Sequence, residues 1–169
     1  MRTRHARTKD APAIHRLVAR YAAEGVLLPR TEEEIRRNIS HFLVLEENRR
    51  IIGCLSLESY GSDLAEIRSV AVGAERRGEG LGARLVEFAL LEARRRGIAR
   101  VFAVTHAPQF FERQGFTAAS RKTLTEKVER DCRTCPKQRT CNLVAVIATV
   151  IPERIAFPVL GEVSPVPAC

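Results

Sequence analysis

The chain has 169 residues, with Lys+Arg 28 against Asp+Glu 20, a formal charge of +8. That length suits one domain with a real core, and 45% hydrophobic residues is too apolar for a largely disordered chain. The longest uncharged apolar stretch, residues 143–152, is far below the ~20 residues that span a bilayer, and no apolar run follows the basic start, so neither a span nor a secretory signal is readable and a soluble cytoplasmic domain is expected.

The positive charge invites a nucleic-acid reading, because basic clusters neutralise phosphates. The pattern argues against it. Lysines occur only at Lys9, Lys122, Lys127 and Lys137, the arginines are scattered among acids, the longest basic run is Arg94-Arg95-Arg96, and there is no tryptophan. No aromatic–basic interleaving of the single-strand binders is present, so neither a nucleic-acid nor a membrane partner is expected. A small polyanionic ligand accounts equally well for the charge.

In chain order, residues 1–7 read as an edge strand. A helix follows from Asp10 to Tyr21, with Asp10 as its cap, Pro12 in its first turn, and Ile14, Leu17, Val18 and Tyr21 at helical spacing, broken by Gly25. Thr31-Glu-Glu-Glu34 is a capping box opening a second helix, with Ile35 and Ile39 on its inner face. Residues 42–46 and 51–60 read as strands joined at Glu47-Asn48, and 65–72 as a third that enters a glycine-rich segment. A helix over 81–96 has Leu81, Leu85, Phe88, Ala89 and Leu91 apolar, arginines at its negative end and Gly97 as its stop. Then come a strand from Val101, a short helix from Pro108 stopped by Gly115, a polar stretch over 123–139, and an apolar strand over 143–151. The tail 152–169 holds half of the eight prolines and forbids regular structure. The layout predicts a mixed α/β (α+β) domain over 1–151, a central sheet flanked by helices, with 152–169 as an appended arm.

The most informative stretch is strand Val70-Ala71-Val72, then Arg77-x-x-Gly80-x-Gly82, then a helix. Glycines let the backbone approach a ligand, the first N–H groups of a helix lack partners, and Arg76 and Arg77 add charge, which together make a pyrophosphate cradle. The alternative is a glycine-rich turn before an ordinary helix. The dinucleotide fingerprint does not fit, because Gly78, Gly80 and Gly82 are spaced G-x-G-x-G, and the P-loop Lys-Ser/Thr is missing.

These residues resemble the phosphate-binding motif of the GCN5-related N-acetyltransferases (GNAT), and Phe110-Phe-Glu-Arg-Gln-Gly-Phe116 after strand Val101-x-x-x-Thr105 is similar to the family's following motif. The resemblance covers residues 1–151. It implies the GNAT fold, with acetyl-CoA as co-substrate in the cleft after the fourth strand. It also implies coenzyme contacts from the backbone of Val70, Ala71 and Val72, from Arg77, Gly78, Glu79, Gly80, Leu81 and Gly82, and from Phe111. Leu27-Leu28-Pro-Arg30-Thr-Glu-Glu-Glu-Ile, Ala65-Glu66-Ile-Arg68 and the cysteine-bearing segment before the last strand are further similar to the short, single-domain bacterial N-acetylglutamate synthases. That likeness implies acetyl transfer to the α-amine of L-glutamate or L-glutamine, as the first step of arginine biosynthesis. Acetylation of a different amine, in a protein or small molecule, and a non-catalytic acetyl-CoA sensor are the rival readings.

Amine chemistry assigns roles. A mostly protonated amine needs a base, for which Glu66 is the candidate; its alternative is a surface Glu on an alternating strand. The departing thiolate needs a donor. The family's usual tyrosine is replaced here by Phe110 and Phe111, so Thr105 takes that role, with water or direct thiolate release as alternatives. Arg30, flanked by Leu28, is the first choice for the substrate carboxylate, Arg68 the second, and Asn142 lies near a further position. His106 borders this region. Cys132, Cys135 and Cys141 have metal-like local spacing but no evident fourth ligand, so zinc or free, redox-sensitive thiols both stay open and no metal is assigned. The residues are silent on oligomeric state; a homodimer is a candidate.

Overall fold

The computed structural model describes residues 1–135 and 141–150. The proline-rich arm expected over 152–169, and with it Ile151, lies outside them. One mixed seven-stranded sheet has the order β1-β2-β3-β4-β5-β7-β6. Its strands are β1 (Arg2–His5), β2 (Phe42–Glu47), β3 (Arg50–Ser59), β4 (Leu64–Val72), β5 (Arg100–Thr105), β6 (Thr117–Ala119) and β7 (Val144–Thr149). The helices are α1 (Ala11–Ala23), α2 (Glu32–Arg37), α3 (Leu81–Arg95), α4 (Pro108–Glu112) and α5 (Thr125–Lys127), the last running into a π turn, Val128–Cys132.

Local chemistry explains most of these boundaries. The capping box at α2 forms as expected: Thr31 Oγ1 accepts from Glu34 N–H at 3.1 Å and Glu34 returns the bond to Thr31 N–H at 2.7 Å. The β2–β3 turn centres on Asn48 and Arg49, both at positive φ, one residue later than expected and consistent with the twist of a two-residue hairpin. Asp10 does not cap α1 through its own side chain. Its carboxylate instead accepts from Arg7 N–H at 2.7 Å and holds Arg4 at 2.7 and 3.1 Å, so its acceptor capacity is taken up by a bidentate ion pair to β1 and by the preceding turn. Strand β6 was absent from the sequence reading; its three residues lack hydrophobic alternation and exist through pairing with β7.

Alternation of the strands divides the interior in two. Leu43, Leu45, Leu55 and Leu57 pack with Leu85, Val86 and Ala89 of α3, while Phe42, Val44 and Cys54 pack with Ile14 and Val18 of α1 and Ile35 of α2. A bulge in β4 interrupts this pattern. Cys54 pairs with Ala71 but Ser56 with Arg68, so Ser69 and Val70 together oppose Leu55, and Ser69 adopts φ 52°. The bulge reverses the parity of the strand: Ala65 and Ile67 join the α3 side, then Val70 and Val72 do, while Ala71 turns to α1.

The only parallel pairing in the sheet among the described residues joins β4 to β5, and it ends early, at Glu66 opposite Phe102. Beyond that point the two strands no longer pair, and the edge of β4 from Ile67 onward faces a cleft.

Candidate active site

A cavity of about 1200 Å³ fills the cleft, from the N-terminus of α3 past the splayed ends of β4 and β5 to the segment between β6 and β7. Of the residues nominated from sequence, Glu66, Thr105, Val70, Val72, Arg77, Gly78, Gly80, Leu81, Gly82, Phe111, Leu28, Arg30, Arg68 and Asn142 all border it. Two nominees do not. The Ala71 side chain is turned into the α1 core by the bulge, and Glu79 is engaged by Arg76 at 2.7 Å.

At one end, α3 begins with Gly80 at φ 74°, a left-handed conformation that disfavours a side chain. No side-chain oxygen caps this helix, so its first-turn N–H groups are left for a ligand. Gly82 serves a different need: a Cβ there would lie 3.2 Å from the Phe110 ring, so its absence lets α4 close against α3. The two arginines nominated for phosphate border this end but are already paired. Arg77 donates to Glu24 at 3.0 Å and stacks on Tyr21, and Arg76 bridges Glu47 and Glu79.

At the other end, β3 and β4 place Glu58 directly opposite Glu66, a cross-strand pair of like charges that needs cations. Arg68 supplies them both: its Nε donates to Glu66 Oε2 and its guanidinium reaches Glu58 Oε2 at 3.0 Å. Arg30, from the loop before α2, donates to Glu58 Oε1 at 3.1 Å. The charges of Arg68 and Arg30 hold the Glu58 carboxyl below its ordinary value despite burial, which works the other way.

The segment from α5 to the π turn adds groups that sequence reasoning missed. Lys127 Nζ donates to Glu66 Oε2 at 3.0 Å and to Asp131 Oδ2 at 2.7 Å. The Tyr60 hydroxyl lies 2.8 Å from Glu66 Oε2 and 2.6 Å from Asp131 Oδ2, with one proton to share. Arg68 also donates to Asp131, and Arg130 sits 3.5 Å over the Tyr60 ring. Burial, with the Glu66 charge beside it, pushes the Tyr60 hydroxyl well above its ordinary value; burial pulls the Lys127 ammonium down against the opposing pull of Glu66. Only the i,i+4 spacing of Lys127 and Asp131 was a local signal for this cluster. All three donors to Glu66 converge on Oε2, and among the described residues none reaches Oε1. Glu66 is 3% exposed, so the alternative reading as a surface residue is ruled out by its position.

Thr105, at the end of β5, accepts from Ala107 N–H at 3.0 Å, leaving its own O–H free to donate. Cys132, Cys135 and Cys141 are free thiols bordering the cavity; among the described residues no set of three His, Cys, Asp or Glu side chains is placed to hold a metal. Seven basic side chains line the cavity against two acidic ones, Glu66 and Asp131. No helix among the described residues is long and apolar enough to cross a membrane.

Comparison with known proteins agrees with this geometry. Residues 11–116 match the Acetyltransferase (GNAT) family. An uncharacterised N-acetyltransferase of Chlorobaculum tepidum is 39% identical over 147 residues, covering 87% of this chain and 95% of the relative. The amino-acid acetyltransferase of Mycobacterium tuberculosis is 37% identical over 134 residues, 77% of this chain and 76% of that protein. The N-acetylglutamate synthase of Neisseria gonorrhoeae, solved with coenzyme A and N-acetyl-glutamate, superposes with a TM-score of 0.81 at 30% identity; the match covers 88% of this chain but only 35% of that one. A polar helix terminus, a cleft between diverging strands and a buried glutamate at its head are thus carried on a chain that belongs to the GNAT family of acetyltransferases.

Proposed function

We propose that this chain transfers acetyl from acetyl-CoA to the α-amino group of L-glutamate or L-glutamine, the cytoplasmic first step of arginine biosynthesis. The observation that carries the reading is the continuous cavity lined by seven basic side chains against two acidic ones, with a pyrophosphate cradle at one end and an arginine-rich pocket with Glu66 at the other. A polyamine or a basic protein tail would meet arginines and a lysine there, four of them paired with Glu24, Glu47, Glu58 and Glu79; a diphosphate and an amino dicarboxylate can take over those pairings.

The residues fit both partners. First-turn amides of α3 with Gly78, Gly80 and Arg77 would take the pyrophosphate once Arg77 leaves Glu24. The edge of β4 that β5 leaves unpaired offers backbone groups to the extended pantetheine arm. Arg30 and Arg68 would take substrate carboxylates as bidentate forks, with Leu28 and Asn142 closing the pocket.

Chemistry follows from the same placement. Glu66 removes a proton from the substrate ammonium through its unoccupied Oε1, directly or by way of one water. The freed lone pair attacks the thioester carbonyl, and N–H groups at the Ser69–Val70 bulge donate to the resulting oxyanion. Collapse breaks the C–S bond; the attacking nitrogen gives up its second proton, which passes through solvent to the leaving thiolate, while the Thr105 hydroxyl donates a hydrogen bond to that sulfur. Arg68 and Lys127 fix the Glu66 carboxylate in one orientation while this happens.

The test is incubation of the purified chain with acetyl-CoA and each of the twenty amino acids, reading free thiol. Release with glutamate or glutamine above all others is expected. Release with neither overturns the assignment, and acetyl-CoA binding without release for any amine would identify a sensor instead.

A further inference from the structure

Glu66 Oε2 and Asp131 Oδ2 share the same three donors, Tyr60, Arg68 and Lys127. The two carboxylates differ in how firmly they are held. Glu66 is 3% exposed and fixed in the middle of β4, whereas the Asp131 side chain is 27% exposed, borders the cavity, and hangs from a π turn outside the sheet. A cluster of a guanidinium, an ammonium and a phenol, opening on a cavity and closed by one removable aspartate, is a carboxylate-binding site with an internal carboxylate in it.

The geometry points to Asp131 as a specificity-determining residue: it occupies the subsite that the acceptor's carboxylate takes, and substrate binds by displacing it from Arg68, Lys127 and Tyr60. This deepens the acetyltransferase reading and rests on it for the identity of the ligand. Charge balance favours the exchange. Four cations, Arg30, Arg68, Lys127 and Arg130, face three carboxylates, Glu58, Glu66 and Asp131, and an incoming carboxylate that replaces Asp131 leaves this balance unchanged. A neutral acceptor group in the same place would leave Arg68 and Lys127 short of one partner, so the exchange selects for an anion.

An occupied subsite weakens apparent affinity by the fraction of time it is open; a site closed about nine-tenths of the time binds about tenfold more weakly than its intrinsic affinity. The full chain and its Asp131→Asn variant are therefore titrated with glutarate, an unreactive dicarboxylate, by isothermal calorimetry. The variant is expected to bind about tenfold more tightly, and its KM for glutamate to fall by a similar factor. Unchanged or weaker glutarate binding overturns the proposal. Asp131→Ser, which keeps a small polar side chain on the turn, gives the same readout should the asparagine variant fail to fold. Because glutarate binding needs no acetyl transfer, a chain that acetylates neither glutamate nor glutamine yet binds glutarate more tightly as the variant would fail the functional assignment while upholding this subsite.

Discussion

At the scale of single residues, Glu66 carries the most specific expectation. It sits in mid-strand, buried, with one oxygen held by three donors and the other without a partner among the described residues. Substituting Gln keeps the shape and removes the proton acceptor, so Glu66→Gln should lower the rate of thiol release about 100- to 10,000-fold, the usual contribution of a positioned base. Calorimetric binding of coenzyme A by the variant should persist; if the rate falls less than about tenfold, another group is the base. The strand and its alternating Glu66 and Arg68 were legible in the sequence, since a period of two places them on one face. Their partners were not, because Lys127 and Asp131 lie 61 and 63 residues away in the chain from Glu66 and Arg68 respectively.

At the scale of elements, the first strand and first helix are tied by a charge pair rather than by a helix cap. Asp10 is 6% exposed and receives Arg4 through two oxygens, and Arg4 also reaches Glu46 on β2. Asp10→Ala removes these charge-assisted bonds and leaves a largely buried guanidinium with only Glu46 and the His5 carbonyl as partners. It should cost about 2 kcal/mol and lower the melting temperature by about 4–8 °C for a chain of this size, as read by thermal unfolding. A change below about 1 °C would mean that α1 is held by its apolar face and the Tyr21–Val72 bond, not by the ion pair. The start of α3 shows the opposite case at Gly80, whose left-handed cap is a local demand that glycine chemistry meets, whereas Gly82 answers a tertiary one, the Phe110 ring of α4. The polar stretch after Gly115 was legible only as polar. Its short helix and π turn carry no hydrophobic stripe, so nothing local announced that they would cover the site.

At the scale of the whole molecule, the chain is a positive body whose individual carboxylates are mostly paired. Asp10, Glu46, Glu47, Glu58 and Glu92 are all held below their ordinary values, with burial opposed by hydrogen-bonded arginines at Asp10, Glu58 and Glu92, and with Arg4 and Arg76 dominating at Glu46 and Glu47. The folded state therefore resists protonation at pH values where the unfolded chain, with carboxyls near 3.8 and 4.5, already takes protons up. Stability from these groups is fully present above the unfolded values and drains away as pH falls through the lower, folded ones. Melting temperature should hold from pH 7 to about 5 and drop steeply below about 4.5, in parallel with rising self-repulsion among the arginines. A melting temperature that rises on acidification to pH 4 would contradict this account of the ion pairs.

The charge excess, the order of the longer strands and helices, the capping box at α2 and the left-handed glycine that opens α3 were determined by the sequence alone, because each depends on side-chain chemistry within a few residues of itself. Tertiary structure decided the rest. It turned Ala71 away from the cleft through a bulge, ended the β4–β5 pairing at Glu66, closed Arg76 and Arg77 onto carboxylates, and brought Tyr60, Lys127 and Asp131 around one glutamate. The physical reason is that an ion pair has no sequence period: any of many arginines could satisfy any of many acids, and only the fold determines which of them meet.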